Sequence, residues 1–253
     1  MKTLVLLHGW GASGTIWRRQ AEVFAGQETR VWAPTFPVWE VSWLVDYLEK
    51  LPLAETVLVG WSLGGMLLLE ALSRGPVRPA GLVLVAAPAS FCQQADHPWG
   101  QRRAAVRALR RTVREDPRRG LADFASRCLA QGESHFQKKI LEDFQPQEKG
   151  ADLAAGLDYL LTTDLTSRLS GMPEGAWIIQ GDQDAIVPPA EAEFIREHLA
   201  QARMVTIPGA GHAPFLTRAG EFNEILRKVL GEEAGGCKSF PNLRDAEAQG
   251  QAW

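Results

Sequence analysis

Apolar residues along this chain come in short unbroken runs rather than in strict alternation. Leu4-Val5-Leu6-Leu7 ends before Gly9 and Gly11, and Val57-Leu58-Val59 ends at Gly60. Leu82-Val83-Leu84-Val85 and Trp177-Ile178-Ile179 repeat the pattern. Runs of this length, closed by glycine, predict strands buried on both faces. Between them, residues 41–51 and 64–73 hold apolar positions too dense for a surface helix and no proline, so both are predicted as packed helices. Strand alternating with helix predicts a parallel sheet with crossover connections. After Ile179 the pattern predicts a helix over 191–199, a last strand at Met204-Val205-Thr206-Ile207 and a closing helix over 221–230.

Residues 93–166 break this rhythm. They hold no strand-like run and read as polar helices punctuated by Pro98, Pro117, Gly132 and Pro146, the pattern of an inserted helical lid. The core is then expected from 1–92 and 167–231. Residues 232–253, with Gly235-Gly236, Pro241, mixed charge and no amphipathic period, are expected to be a loose tail.

Composition adds a bound and an asymmetry. A chain of 253 residues with 45% hydrophobic and 23% charged side chains can bury a core. Its net charge of -3 conceals a basic block: residues 101–139 carry eleven Lys/Arg against four Asp/Glu, a local +7 that leaves -10 elsewhere. Nucleic acid is the first partner such a block suggests. The block lacks interleaved aromatics, however, and the whole chain has a pI near 6.0, so an acidic protein partner is equally admissible. No apolar run approaches the roughly 18 residues of a membrane span, and the stretch after Met1-Lys2 is too short for a cleaved signal. Cys92, Cys128 and Cys237 are widely spaced with no Cys-x-x-Cys, against a disulfide framework or a thiolate metal site. The expectation is a cytoplasmic protein with ordinary thiols, no membrane and no nucleic acid.

Gly60-Trp61-Ser62-Leu63-Gly64 follows a predicted strand and opens a predicted helix, the context of a nucleophile elbow. A serine presented on so sharp a turn needs small residues two positions away on each side, and glycine fills both places. The bland alternative is a tight turn capped by serine. A serine nucleophile needs a base. His212, in the glycine-rich loop Pro208-Gly209-Ala210-Gly211-His212-Ala213-Pro214 after the last strand, can reach across the carboxyl ends of the sheet. His8 is expected to serve loop geometry beside the site, and His97, His135 and His198 to be solvated. The base needs an acid to fix its tautomer, and Gly181-Asp182-Gln183-Asp184 supplies two; Asp184 is preferred, with Asp182 as a loop-capping residue. The chain order Ser62, Asp184, His212 is that of α/β-hydrolases rather than of chymotrypsin-like or subtilisin-like proteases. A developing oxyanion needs two aimed N–H groups, and those of Trp10 and Leu63 are the candidates. Gly9-Trp10-Gly11-Ala12-Ser13-Gly14 also matches a dinucleotide-binding fingerprint, but the carboxylate expected about 20 residues on is missing.

Together, Leu6-Leu7-His8-Gly9-Trp10-Gly11, Gly60-Trp61-Ser62-Leu63-Gly64-Gly65 and Gly211-His212-Ala213-Pro214-Phe215 resemble the pimeloyl-[acyl-carrier protein] methyl ester esterase family of biotin synthesis, over residues 1 to about 230. The resemblance implies an α/β-hydrolase fold, a mostly parallel sheet flanked by helices with an inserted helical lid. It also implies a serine carboxylesterase with nucleophile Ser62, base His212, acid Asp184 and oxyanion donors at Trp10 and Leu63. Neither metal nor organic cofactor is implied. In that family basic lid residues hold the acyl carrier protein, which would assign Arg103, Arg107, Arg110, Arg114, Arg118, Arg119, Lys138 and Lys139 to docking. Phe124 is similar in placement to a residue lining the acyl channel, though an ordinary lid-core phenylalanine reads the same way. Two departures stand out: the antiparallel hairpin that usually opens such hydrolases is missing, and residues 34–39 lack the usual Asp-x-Pro-Gly loop, so a different pocket rim is expected. The rival readings are a generalist short-chain carboxylesterase or thioesterase on the same scaffold and, from another class, a ligand-binding receptor with a slow triad.

Overall fold

The computed structural model describes residues 1–26, 28–75, 78–144 and 150–231. The predicted tail 232–253, with Cys237, lies outside the described residues. Six strands, β1 (Lys2–Leu7), β2 (Thr29–Trp32), β3 (Thr56–Trp61), β4 (Gly81–Val85), β5 (Trp177–Gly181) and β6 (Arg203–Ile207), form one sheet in the order β2-β1-β3-β4-β5-β6. Every pairing is parallel. Side chains of β3 are buried along its whole length and those of β1 and β4 along nearly all of it, which is why these strands read as continuous apolar runs. The register sets Leu7 opposite Gly60, Trp61 opposite Val85 and Gly181 opposite Ile207. The loops leaving β1, β3, β5 and β6 therefore emerge side by side at one edge of the sheet.

The core helices are α1 (Arg18–Phe24), α2 (Val41–Leu48), α3 (Leu63–Ser73), α8 (Pro189–His198), the single turn α9 (Pro214–Thr217) and α10 (Ala219–Leu230). Helix α2 packs on α3, and α1 packs on α10. Two elements had gone unread in the sequence. β2 is the edge strand, with exposed Arg30 and Trp32 interrupting its apolar pattern, and α1 is a short charged helix that buries only Gln20 and Phe24.

Between β4 and β5 the chain is helical: α4 (Arg103–Glu115), α5 (Pro117–Arg127), α6 (Gln137–Asp143) and α7 (Leu153–Thr162). One proline and two acids here act as helix starts. Asp116 caps α5 by accepting the N–H of Arg119 at 3.1 Å, with Pro117 in the first turn, and Asp152 caps α7 through the N–H of Ala155 at 2.8 Å. Helix α4 packs against α5 and α7 and buries only Val106 and Val113, leaving the rest of its surface polar.

One histidine is not where the sequence put it. His97 was expected in solvent, but it is buried and paired with Glu191 in the first turn of α8. The same carboxylate accepts the Trp99 indole N–H at 2.9 Å and the Ala89 N–H at 2.6 Å, and the His97 ring packs on Trp99 and Phe194. The polar loop after β4 folds inward because Glu191 satisfies these groups, a partner about a hundred residues away that local pattern does not reveal. His135 and His198 are exposed, as expected.

Candidate active site

Ser62 sits between β3 and α3 with φ 52° and ψ -120°, a conformation that L side chains adopt only under constraint. The constraint is local. The Ser62 N–H donates to Val85 O at 3.0 Å, and its carbonyl accepts the Met66 N–H at 3.0 Å to begin α3. A Cβ at Gly60 would lie 2.6 Å from the Cα of Gly65, and one at Gly64 would lie 2.5 Å from the carbonyl oxygen of His8. The spacing of glycines around the serine is thus a steric requirement of the strand, turn and helix meeting at this point.

Asp184 follows β5 and is buried. Its Oδ1 accepts the N–H groups of Ile186 at 2.8 Å and Val187 at 2.9 Å, and its Oδ2 accepts from Gln180 Nε2 at 3.1 Å and His212 Nδ1 at 2.8 Å. A carboxylate acting only as acceptor fixes the proton of His212 on Nδ1 and turns the lone pair of Nε2 toward the interior. Nε2 is buried with no hydrogen-bond partner, so no bond joins it to Ser62 in this closed form. The His212 carbonyl accepts the indole N–H of Trp61 at 2.7 Å, which ties the histidine loop to the residue before Ser62. Asp182 is exposed and accepts the Gly209 N–H at 2.7 Å, the loop-capping geometry read from the sequence. Asp164, another acid ahead of β5, binds the N–H and hydroxyl of Thr166 instead.

The loop after β1 runs beside Ser62: a Cβ on Gly9 would stand 3.1 Å from the Cβ of Ser62. The N–H groups of Trp10 and Leu63 meet no acceptor among the described residues. His8 is buried, its Nδ1 against the Gly9 carbonyl at 2.8 Å and its Nε2 accepting the Phe36 N–H at 3.0 Å. Burial pulls its pKa down to about 4, with the Gly9 contact acting weakly the other way. It is a neutral loop brace rather than a base.

The helical segment closes over these groups. Phe124 on α5 is buried edge-on to Trp10 (4.9 Å between ring centroids) and to His212 (6.3 Å), with Phe144 beside it. The Trp10 indole N–H reaches Leu153 O on α7 at 2.8 Å. Ser62 is 3% exposed and His212 0%. A cavity of about 390 Å³ is lined by His8 and Gly11 of the loop after β1 together with Trp39, Val113, Arg114 and Leu153. Burial pushes the Cys128 thiol well above its ordinary range, and the charge of Asp184 nearby adds to this, so it is an inert thiol beside the acid. Among the described residues no group of three or more His, Cys, Asp or Glu could hold a metal ion. Among them, too, no helix is long and apolar enough to cross a membrane.

The basic residues do not form one free stripe. Arg107 and Arg114 on α4 and Arg118 and Arg119 on α5 are exposed, as is Lys138, whereas Arg103 and Lys139 are half-buried. Arg110 departs from the docking assignment, because its guanidinium is held by Asp158 of α7 at 2.6 Å and 2.7 Å and so serves the packing of α4 on α7. Sequence reasoning also missed Trp61, Gln180 and Glu133 as parts of the site. Gln180 carried a signal, a polar side chain inside a buried strand next to the acid.

Comparison with known proteins agrees with this geometry. Residues 4–225 match the alpha/beta hydrolase family. The chain belongs to that family. Among its relatives, a pimeloyl-[acyl-carrier protein] methyl ester esterase of Nitrosomonas europaea is 30% identical over 234 residues, 87% of this chain and 92% of that protein. One of the same name from Aromatoleum aromaticum is 29% identical over 90% of this chain and 97% of its own length. In three dimensions the hydrolase resembles an esterase from Exiguobacterium antarcticum, with TM-score 0.83 at 21% identity, covering 91% of this chain and 92% of that one. A bromoperoxidase from Bacillus anthracis superposes with TM-score 0.78 at 28% identity, over 91% and 92%. An esterase and a bromoperoxidase on one fold show that the scaffold alone does not set the reaction, which has to be read from the site.

Proposed function

We propose that this hydrolase is a serine carboxylesterase that cleaves the methyl ester of pimeloyl-acyl carrier protein in biotin synthesis. The observation that carries the reaction class is the state of His212: Nδ1 fixed by Asp184 at 2.8 Å, Nε2 buried and unpartnered, and its carbonyl bonded to Trp61, the residue before the strained Ser62. In this reading His212 Nε2 takes the proton of Ser62 as its oxygen attacks the ester carbonyl, and Asp184 stabilises the imidazolium. The N–H groups of Trp10 and Leu63 receive the oxyanion. The proton on Nε2 passes to the departing methanol. A water, deprotonated in turn by His212, then cleaves the acyl-enzyme and frees the new carboxylate and Ser62.

The substrate rests on the shared motifs and on the names of the relatives. In the same reading residues 93–166 are a lid, Phe124 lines the acyl site, and Arg103, Arg107, Arg114, Arg118, Arg119, Lys138 and Lys139 face an acidic carrier. Arg110, engaged with Asp158, is left out of that surface, which favours as a second reading a generalist short-chain esterase. The two separate on one comparison. Methanol release from pimeloyl-acyl carrier protein methyl ester should exceed that from free dimethyl pimelate at least tenfold in kcat/KM, and the chain should restore biotin-independent growth to a cell lacking its own esterase. Equal kcat/KM on the two esters with no restoration of growth would leave the generalist.

A further inference from the structure

The loop that carries His212 is held at almost every backbone group. Asp182 takes the Gly209 N–H at 2.7 Å, the Arg218 guanidinium donates to the Gly209 carbonyl at 3.1 Å, and Trp61 donates to the His212 carbonyl at 2.7 Å. Two further bonds come from the helical segment and fall on consecutive residues. The carbonyl of Cys128, at the end of α5, accepts the His212 N–H at 2.8 Å, and the carboxylate of Glu133 accepts the Gly211 N–H at 3.0 Å.

Glu133 is an unusual acceptor for that place. It belongs to the 3₁₀ turn Gln131–Phe136, whose other residues are exposed or half-buried, yet Glu133 itself is 0% exposed. Its Oε2 accepts the Ala130 N–H at 2.9 Å as well as that of Gly211, and its Oε1 faces the Arg218 guanidinium at 3.4 Å. Burying a carboxylate is unfavourable unless charge and hydrogen bonds compensate it, and an apolar side chain of similar volume would often serve stability as well. What an apolar side chain could not do is hold two backbone N–H groups from different parts of the chain at one point. The approach is close: a Cβ at Gly211 would lie 2.5 Å from Cys128 O, 2.7 Å from Ala130 N and 3.0 Å from Glu133 Oε2.

We propose that Glu133 is a positioning residue for hydrolysis: by tying Gly211, the residue before the base, to the turn after α5, it sets where His212 Nε2 stands relative to Ser62. The inference rests on His212 being the base. Glu133 touches no reacting atom and acts through the peptide between Ala210 and Gly211, whose N–H it accepts; a shift of that peptide is passed through Gly211 to the imidazole of His212. A displacement of about 1 Å at a catalytic group is enough to lower turnover by about 10²-fold.

The test is steady-state hydrolysis of p-nitrophenyl butyrate by Glu133→Ala, Glu133→Gln, Gly211→Ala and Ser62→Ala, with kcat and KM separated and a thermal melt of each. Glu133→Ala should lower kcat by about 10²-fold while KM stays within about threefold, because the small ester still fits the pocket. Glu133→Gln, whose amide oxygen can still accept the Gly211 N–H, should recover roughly tenfold of that loss. Gly211→Ala should reproduce the fall in kcat by forcing the same contact apart without removing the charge. Wild-type kcat in folded Glu133→Ala, a loss carried by KM, no difference between Gln and Ala, or loss of the folded state in all three variants would each overturn the proposal. Ser62→Ala keeps the two readings apart. If it remains active, the nucleophile and base assignments fail; if it is dead while Glu133→Ala is fully active, only the role of Glu133 fails.

Discussion

Around Asp184 four donors converge on two carboxylate oxygens, whereas along α4 only Arg110 of the four spaced arginines has a carboxylate partner among the described residues. The sheet-end loops and the helical segment over them are built on different terms. In the loops, the side chains and most backbone groups near Ser62 and His212 are bonded to other groups of the protein, which narrows the positions a side chain can take. On the outer face of α4 and α5 the charges project into water, where their positions are loose and their joint field is what acts at a distance.

The comparison breaks first at the loops if it is wrong. Ser62→Ala and His212→Ala should each lower kcat by about 10⁶-fold on any ester, since the members of such a triad act as a unit, with thermal midpoints little changed. Substantial residual turnover in either, measured under steady state, would move the chemistry elsewhere. Next in size is the contrast between two neighbouring acids. Asp184→Asn should cost about 10⁴-fold in kcat by presenting a donor to the wrong face of His212, while Asp182→Asn, whose amide oxygen can still cap Gly209, should cost less than about tenfold. Comparable losses in the pair would dissolve the distinction between a buried acceptor and an exposed cap.

A third effect is on stability. The folded-state pKa of His8 is near 4, below the ordinary 6.5, so between these values the unfolded chain binds the extra proton and the folded one does not. Stability should therefore be full above about pH 6.5 and fall as pH drops toward 4, by up to roughly 3 kcal/mol. Urea titrations across that window should show the slope in the wild type and its loss in His8→Gln. An unchanged slope in the variant would assign it to other groups.

The smallest effect sharpens the other half of the comparison. Changing Arg107, Arg114 and Arg118 together to Glu should raise KM for the carrier-linked ester by about five- to tenfold at low salt, less at high salt, and leave a small soluble ester unchanged. Arg110→Ala should instead lower stability by at most about 1 kcal/mol, as its half-exposed pair with Asp158 allows, without singling out the carrier-linked ester. Paired kinetics at two salt concentrations and a denaturant melt decide this.

What could be read without coordinates was whatever is dictated locally. The elbow at Ser62 is legible because the glycine spacing is demanded within five residues, and the buried strands because both their faces are apolar. The sequence also ranked Asp184 over Asp182 and placed Asp182 as a loop cap, and the hydrogen bonds follow that order. Long-range pairing was not legible. Glu191 drawing His97 out of solvent, Glu133 reaching the histidine loop and Asp158 claiming Arg110 each join residues separated by dozens of positions, with nothing in the flanking sequence to mark them. β2 and α1 were missed for a different reason: a half-covered edge strand and a short charged helix bury too few side chains to leave a period.

The seal over Ser62 and His212 sets a timing as well as a geometry. With Phe124 and Phe144 packed against the site, the proposed lid role requires α5 and α6 to draw back before an ester meets the hydroxyl. The apparent dissociation constant is then the intrinsic one divided by the fraction of time spent open. A bulky phosphonate label should consequently react at a rate that saturates with reagent concentration, its ceiling being the frequency of opening, and that ceiling should fall as solvent viscosity rises.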